Sequence, residues 1–273
     1  MSAPLVLLLA FTTAAVGALG GLGGAIILVP ILVLSGMRAS DAAPLGLLSV
    51  AAGSLAAGPM QLSERTVHHR LGVTTETAGS AGAVIGALLS GAVGEAFLTR
   101  FLAVVAITAA AASGLRRDVA APLIERPPDI DLGEQRGTLA GIYPVGEATA
   151  TAYSATHLPA GLAAMTTAGV VAGVAGASGG FIKTPATTEI MGVPIKVAAS
   201  TTTFTIGITS AAALIVFAIQ GRIELDHAAP VIVGALAGGQ VGARLQARFS
   251  ARVVRAALGV VLVAVAGILV ARS

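Results

Sequence analysis

An ammonium group stands beside a glycine pair in the middle of an apolar region of the sequence. The stretch GVAGASGGFIKTPATTEIMGVP, residues 173–194, contains Ser178, Gly179, Gly180 and Lys183. A helix that begins at Gly180 has unpaired backbone N–H groups and a partial positive charge at that end, which favours a bound anion. Lys183, one turn further on, adds a full positive charge. These residues predict an anion-binding site within the apolar region.

A purely structural interpretation competes with this one. Glycines let helices pack closely, and a lysine can extend its ammonium group to a membrane surface along its aliphatic stem. An ionisable residue beside a glycine break inside an apolar segment is nevertheless typical of a functional site in membrane proteins. We therefore favour the binding site and keep helix packing as the alternative.

Hydroxyl groups are abundant near Lys183, at Thr184, Thr187, Thr188, Ser200, Thr201, Thr202, Thr203 and Thr205. Hydroxyls can donate hydrogen bonds to an oxyanion without the desolvation cost of several further charges. Each threonine could instead bond a backbone carbonyl of its own helix. Either use is compatible with the sequence alone.

Two carboxylates are candidates for coupling to protons. Glu189 lies at i+6 from Lys183, on a different helix face, so a direct pair between them is not expected. Glu76 lies in the first turns of another apolar segment, where it either relays protons or only stabilises the helix N-terminus. His68 and His69 are adjacent and should point apart, so no metal site is predicted.

The elements that position these residues are membrane helices. Hydrophobic residues make up 55% of the 273-residue chain and charged residues only 11%, against about 25% charged in soluble proteins. Apolar stretches long enough to cross a bilayer recur, and the first is not expected to be a signal peptide because no basic residue precedes it.

Cysteine is absent, which excludes disulfides and thiolate chemistry. The net charge of +3 arises from arginines between apolar segments, so membrane orientation explains it and no nucleic-acid partner is predicted.

The chain contains an internal repeat with a shift of 156 residues. This shift superposes seven glycine pairs: Gly17 on Gly173, Gly20 on Gly176, Gly23 on Gly179, Gly24 on Gly180, Gly36 on Gly192, Gly82 on Gly238, and Gly86 on Gly242. Only about two such coincidences are expected by chance at this composition. We therefore predict a first membrane repeat over 1–117, a linker over 118–159 and a second membrane repeat over 160–273.

Each repeat divides into five apolar pieces. They are 3–20, 24–36, 40–62, 72–94 and 97–115 in the first repeat, and 160–177, 180–192, 197–219, 228–248 and 252–271 in the second. The second piece of each repeat is too short to cross the bilayer alone, so it should form a glycine-broken hairpin with the first. Within the linker, 138–143 and 149–156 could pair as a small β-hairpin.

Basic residues orient the repeats. They cluster at Arg65 and Arg70, at Arg116 and Arg117, and at Arg244, Arg248, Arg252 and Arg255. All three clusters lie inside the cell only if the second repeat is inverted relative to the first. The prediction is an all-α multi-pass protein of two inverted-topology repeats, each a hairpin plus three transmembrane helices. Both termini would be extracellular and the linker cytoplasmic, with binding where the repeats meet.

Two glycine-rich stretches resemble the paired signatures of a known family. GLGGAIILVPILVLSG (21–36) and GASGGFIKTPATTEIMGVPIKVAASTTTF (176–204) are similar to those of the TauE/SafE sulfite exporters, also called 4-toluene sulfonate uptake permeases. The resemblance extends over nearly the whole chain, including LPAG at 158–161. It implies an inner-membrane permease for sulfite, a sulfonate or a related small anion.

The first repeat departs from the family pattern after its short piece. It has Pro44, Leu45 and Gly46 where the second repeat has Ser200, Thr201 and Thr202, so its hydroxyls are lost there and the second repeat is favoured for binding. The predicted substrate-binding residues are Gly23, Gly24, Ser178, Gly179, Gly180, Phe181, Lys183, Thr184, Thr201 and Thr202.

No enzymatic motif, cofactor or metal is predicted. The expected partners are the lipid bilayer, a small anion and, through Glu189 or Glu76, protons. Self-association into a homo-oligomer stays open. The alternatives are a membrane assembly protein whose glycines serve packing only, and a carrier of small carboxylates.

Overall fold

Nine helices, further helical residues at 259–264 and 267–268, and one small sheet make up most of the described part of the protein. The structure is a computed structural model and describes residues 1–20, 23–63, 65–115, 123–125, 132–145, 149–246, 259–264 and 267–268. The helices are α1 Ala3–Gly20, α2 Ala25–Leu34, α3 Ala39–Ser63, α4 His69–Ala92, α5 Glu95–Leu115, α6 Leu158–Ala175, α7 Gly180–Pro185, α8 Ile195–Ile219 and α9 Leu225–Gln246. Most of the predicted piece 252–271 lies outside the described residues.

Length and composition identify the protein as a multi-pass membrane protein. Counted over the described ranges, five helices are long and apolar enough to cross a bilayer: α3, α5, α6, α8 and α9. The 156-residue shift carries the bounds of α3 onto those of α8 and the start of α4 onto the start of α9. Corresponding pieces of the chain therefore form corresponding helices.

The short pieces fold back on the helices that precede them. Helix α2 has ten residues, and the six-residue α7 continues as a π-helical segment, Ala186–Ile190. The helix changes from α- to π-helical geometry directly after Pro185, which has no backbone N–H to donate. After these short helices the chain turns at Gly36 and Gly192, whose φ angles of +96° and +73° favour glycine. In each half, a short helix that follows a glycine pair therefore packs against the helix before it.

Close helix pairing depends on glycines that face backbone atoms. On α4, Cβ atoms at Gly82 and Gly86 would collide with the carbonyl oxygens of Thr166 and Val170 on α6. Helix α9 meets α1 in the same way, through Gly234, Gly238 and Gly242 against Leu7, Phe11 and Ala15. Residue numbers rise together in both pairs, so each pair runs parallel. Helix packing is therefore one real use of the repeated glycines.

Helices α3 and α8 cross in opposite directions. The Ser54 hydroxyl of α3 donates to the Thr203 and Phe204 carbonyl oxygens of α8, at 2.7 and 3.1 Å. Further along α3, Gly58 faces the Phe204 ring, whereas earlier on α3 Ala51 lies near Gly207. Residue numbers thus rise on one helix as they fall on the other. The main apolar core lies next to this crossing, around the buried helix α2.

A four-stranded antiparallel sheet interrupts the helical fold. Its strands are β1 Leu123–Glu125, β2 Gly133–Glu134, β3 Ala140–Pro144 and β4 Thr149–Ser154, in the order β1-β4-β3-β2. Strands β3 and β4 form the hairpin predicted at 138–143 and 149–156. Strands β1 and β2 were not predicted, because three and two residues are too few for an alternating pattern. The description all-α therefore applies to the membrane part alone.

The sheet is attached to the start of α4. The Arg70 backbone N–H donates to Glu134 at 3.2 Å, and its guanidinium donates to the Gly137 carbonyl oxygen at 2.9 Å. Tyr153 of β4 packs in one apolar cluster with Leu71 of α4 and Val197 of α8. The sheet therefore lies at the end of the molecule where α4 and α8 both begin.

Candidate functional site

A buried ion pair joins the two halves of the chain. The Lys183 ammonium on α7 donates to both carboxylate oxygens of Glu76 on α4, at 2.9 and 3.1 Å. The Thr209 hydroxyl on α8 contacts both groups, accepting from Lys183 and donating to Glu76. The exposed fractions are only 2% for Lys183, 4% for Glu76 and 2% for Thr209. We call these three side chains the charged triad.

The two charges of the triad cancel, but their burial costs desolvation free energy. Removing two charges from water is costly, and a close, well-bonded partner offsets that cost only while both partners are present. Lys183 does not extend to a membrane surface, as the packing interpretation required, because its ammonium is enclosed by α4 and α8. A ligand anion can therefore reach the ammonium only by sharing it with Glu76 or displacing Glu76 from it.

Two stripes of residues with a four-residue spacing align α4 with α8. His68, Gly72 and Glu76 lie along one line, and Thr201, Thr205 and Thr209 lie along the facing line. The His68 backbone N–H donates to Thr201 Oγ1 at 3.0 Å, and a Cβ at Gly72 would lie 2.9 Å from Thr205 Cγ2. The third step is the contact between Glu76 and Thr209. The stripes fix the depth at which Glu76 meets Lys183.

Gly79 leaves the space that the lysine occupies. A Cβ at this position would lie 2.9 Å from Lys183 Nζ and 3.3 Å from Cε. Gly79 is one turn after Glu76 on the same face of α4. Even a methyl group here would push the ammonium away from its carboxylate partner.

The tips of the two hairpins touch. A Cβ at Gly23 would lie 2.6 Å from both Cβ and Oγ of Ser178, and the Gly23 φ angle of +77° favours glycine. Next to this contact is a cavity of about 20 Å³, room for about one water molecule. Its walls include Gly23, Gly24, Ser49, Ser54 and Thr203. The Ser49 hydroxyl is buried and has no hydrogen-bond partner among the described residues.

The other predicted site residues divide into packing and polar positions. Gly24 and Gly179 face the backbones of Ala14 and Ala168, Gly180 is buried, and Phe181 belongs to the apolar core. Thr202 is buried on α8. Thr184 is 1% exposed, and its hydroxyl has no hydrogen-bond partner in the described part of the chain. This buried hydroxyl, on the residue that follows Lys183, is therefore available to a further hydrogen-bond partner.

Several neighbouring threonines serve their own helices. Thr187 and Thr188 donate to the carbonyl oxygens of Lys183 and Thr184, at 2.9 and 2.8 Å. Thr205 donates to the Thr202 carbonyl oxygen at 3.3 Å. The backbone alternative is therefore correct for these three hydroxyls.

Comparison with known families decides what kind of protein carries this arrangement. The family model described as Sulfite exporter TauE/SafE matches residues 6–269. The chain belongs to the TauE/SafE sulfite exporter family. No curated protein and no solved structure matches it. The resemblance seen in the two glycine-rich stretches is thus confirmed over essentially the whole chain, and a membrane transport function is supported over an enzymatic one.

Within this TauE/SafE protein, the central contact was not predicted from the sequence. The sequence indicates proton relay or helix stabilisation for Glu76 but not its pairing with Lys183, and it predicts no site role for Thr209. A signal for Thr209 existed in the spacing of Thr201, Thr205 and Thr209, which places three hydroxyls on one helix face. No signal in one sequence pairs residue 76 with residue 183, because their contact depends on how the halves pack.

Glu189 agrees with the expectation that it does not pair with Lys183, whereas the two adjacent histidines differ from theirs. Glu189 is exposed, and no ion pair with it occurs among the described residues. His68 and His69 do not point apart, since their Nδ1 atoms lie 3.1 and 3.6 Å from the carboxylate of Glu134. Strand β2, which carries Glu134, was not predicted, and it brings the carboxylate between the two imidazoles.

Proposed function

We propose that this protein exports sulfite or a similar small sulfur-containing anion across the inner membrane by alternating access. Membership of the TauE/SafE family supports the substrate class. One observation connects this function to particular residues. Lys183 is only 2% exposed and lies at the glycine break of one hairpin, and the tip of that hairpin contacts the tip of the hairpin in the other half. A buried ammonium at such a break is the natural site for an anion.

Two inverted repeats that rock against each other would supply the alternating access. Helices α3 and α8 correspond under the 156-residue shift and run in opposite directions, as inverted repeats require. The same shift relates α1 to α6 and α4 to α9, so the parallel pair α1 with α9 corresponds to the parallel pair α6 with α4. Each of these pairs contains one helix from each half. In this proposal the hairpin tips lie near the membrane midplane.

Lys183 would hold the anion, and hydroxyl groups would complete its coordination. The Thr209 hydroxyl contacts the ammonium, Thr184 with its orphaned hydroxyl is the next residue along α7, and Ser178 lies at the hairpin tip. The remaining predicted residues would line the path at the tips and along α8: Gly23, Gly24, Gly179, Gly180, Phe181, Thr201 and Thr202. Charge-assisted hydrogen bonds from Lys183 would supply most of the affinity.

Anion affinity in a matched set of variants tests the role of Lys183. Lys183→Met alone would leave Glu76 buried without its partner, which destabilises a protein by roughly 3–5 kcal/mol. The comparison is therefore made in the Glu76→Gln background, with and without Lys183→Met. Loss of one charge-assisted contact of roughly 1.5–3 kcal/mol should weaken sulfite or sulfonate binding about 10- to 150-fold.

The other lysine of the chain provides the control. Lys196 is exposed at the start of α8, 5.8 Å from the centre of the Tyr143 ring, so Lys196→Met should leave affinity unchanged. Equal affinity with and without Lys183, in well-folded protein, would remove Lys183 from the site. Failure of every anion to bind would favour a packing role for the glycines, and preference for small carboxylates would identify a different cargo.

A further inference from the structure

We propose that Glu76 takes up one proton when the anion binds at Lys183, so that a singly charged anion and a proton cross the membrane together. This inference rests on the proposed function and adds its coupling partner. It is argued from the geometry of the ion pair. Both carboxylate oxygens of Glu76 already accept hydrogen bonds from the Lys183 ammonium, so an anion that binds there must share the ammonium with Glu76. The proton comes from the aqueous phase and returns to it when the anion leaves.

Lys183 is the one charged group that faces Glu76 within the described part of the chain. Helix α6 contains no ionisable residue, and on α8 Lys196 lies at the far end, against Tyr143 of the sheet. On α4 itself, His69 and Arg70 are directed to Glu134 and Gly137 of the sheet. On the hairpin, Glu189 is exposed. The protonation state of Glu76 is therefore set by Lys183 and by whatever else Lys183 binds.

Charge balance makes proton uptake the favourable outcome. With Glu76 ionised, the empty site is neutral, and an added monoanion would give it a net negative charge in a buried environment. Two anionic groups that share one site cannot both remain charged without a large penalty, so one of them takes up a proton. A sulfonate is a very weak base, which leaves the carboxylate to accept the proton. The occupied site is then neutral again.

Thr209 can serve both states of the carboxyl group. Its hydroxyl donates to the Glu76 carboxylate in this structure. A hydroxyl also has acceptor lone pairs, so after a simple rotation it can accept a hydrogen bond from protonated Glu76. Glu76 therefore keeps one hydrogen-bond partner after it releases the ammonium, and Lys183 is freed for the anion.

Linkage gives the sign and size of the pH effect. Because the complex holds one proton more than the free protein, anion affinity must rise as pH falls. The rise is about tenfold per pH unit wherever Glu76 is ionised in the free protein and protonated in the complex. Because anion and proton move together, transport of a monoanion should not respond to the membrane potential.

Methanesulfonate is the suitable probe, because it stays a monoanion throughout the working pH range. Calorimetry in buffers of different ionisation enthalpy gives the affinity and the number of protons taken up. Wild-type protein should take up one proton per anion and gain affinity about tenfold per pH unit. Glu76→Gln should bind methanesulfonate with no proton uptake and no pH dependence, and its transport in proteoliposomes should become sensitive to an imposed potential.

Glu189→Gln is the matched control, because it removes the second carboxylate considered for coupling at an exposed position. It should keep the proton uptake of the wild type. If the wild type binds methanesulfonate without proton uptake, this inference is wrong and the proposed function stands. That measurement needs no variant. Proton uptake that persists in Glu76→Gln also overturns this inference. If neither the wild type nor Glu76→Gln binds methanesulfonate or sulfite, the proposed function and this inference are overturned together.

Discussion

The charged triad has no counterpart at the positions related to it by the internal repeat. The 156-residue shift places Ile27 at the position of Lys183, Gly53 at that of Thr209 and Ile232 at that of Glu76. These related positions are therefore apolar and carry no charge. Two of the three groups, Lys183 and Thr209, come from the second repeat, and Glu76 comes from the first.

A second residue-scale feature lies where the sheet meets α4. The side chain of His68 is fully buried, and its Nε2 atom has no hydrogen-bond partner among the described residues. Burial lowers the pKa of His68 below its ordinary value of 6.5, although the nearby Glu134 opposes the shift. Above pH 6.5 His68 is neutral in both the folded and the unfolded chain. Below it the unfolded chain takes up the proton first, so the free energy of unfolding should decrease.

Melting temperatures measured between pH 7.5 and 5.5 test this expectation. His68 caps α4 by accepting from the Leu71 backbone N–H at 3.3 Å. The His68→Asn variant should lose less stability on acidification than the wild type, because asparagine does not titrate and is also a good helix cap. His69→Asn is the control, since His69 contacts the same carboxylate but its side chain is 53% exposed. An equal acid sensitivity of wild type and His68→Asn would contradict the assignment.

At the scale of elements, α4 and α6 pack closely because glycines at their contact leave no side chain between the two backbones. A Cβ at Gly173 would collide with the Ala83 carbonyl oxygen and lie 2.6 Å from the Ala87 nitrogen. Gly173→Ala should therefore lower the free energy of unfolding by roughly 1–3 kcal/mol, as overpacking usually does. Thermal unfolding in detergent measures this.

Gly53→Ala on α3 controls for the change in backbone freedom. Its Cβ would lie at an ordinary 3.9 Å from the Ala235 carbonyl oxygen. Alanine is favoured over glycine in a helix by about 1 kcal/mol, so this variant should be unchanged or slightly more stable. A stable Gly173→Ala variant would mean that α4 and α6 can separate without cost.

The sequence predicts the elements better than their contacts. Apolar length and glycine breaks locate both hairpins and α3 to α9 to within a few residues, because each signal is contained in the element itself. The pairing of α1 with α9 and of Lys183 with Glu76 brings together residues more than a hundred positions apart. Periodicity in one sequence carries no information on which distant faces meet, and for the same reason Glu134 could not be placed beside His68.

The whole molecule should be oriented with its sheet in the cytoplasm and its N-terminus outside. The basic clusters at Arg65 with Arg70 and at Arg116 with Arg117 support this orientation. The chain contains no cysteine, so single cysteines can be introduced without further changes. With a membrane-impermeant maleimide on intact cells, Gly94→Cys in the exposed turn after α4 should react, and Gln135→Cys beside β2 should react only after lysis. The opposite labelling pattern would reverse the orientation.

The pairing of α1 with α9 also has a consequence for biosynthesis. Helix α1 is made first, and the helix against which it packs begins about 200 residues later. At roughly 5–20 residues per second, the ribosome needs about 10 to 40 s to deliver it. During that interval the glycine-rich face of α1 has no native partner, and α4 likewise waits for α6. We therefore expect the nascent first half to depend on an insertase or a membrane chaperone until the second half emerges.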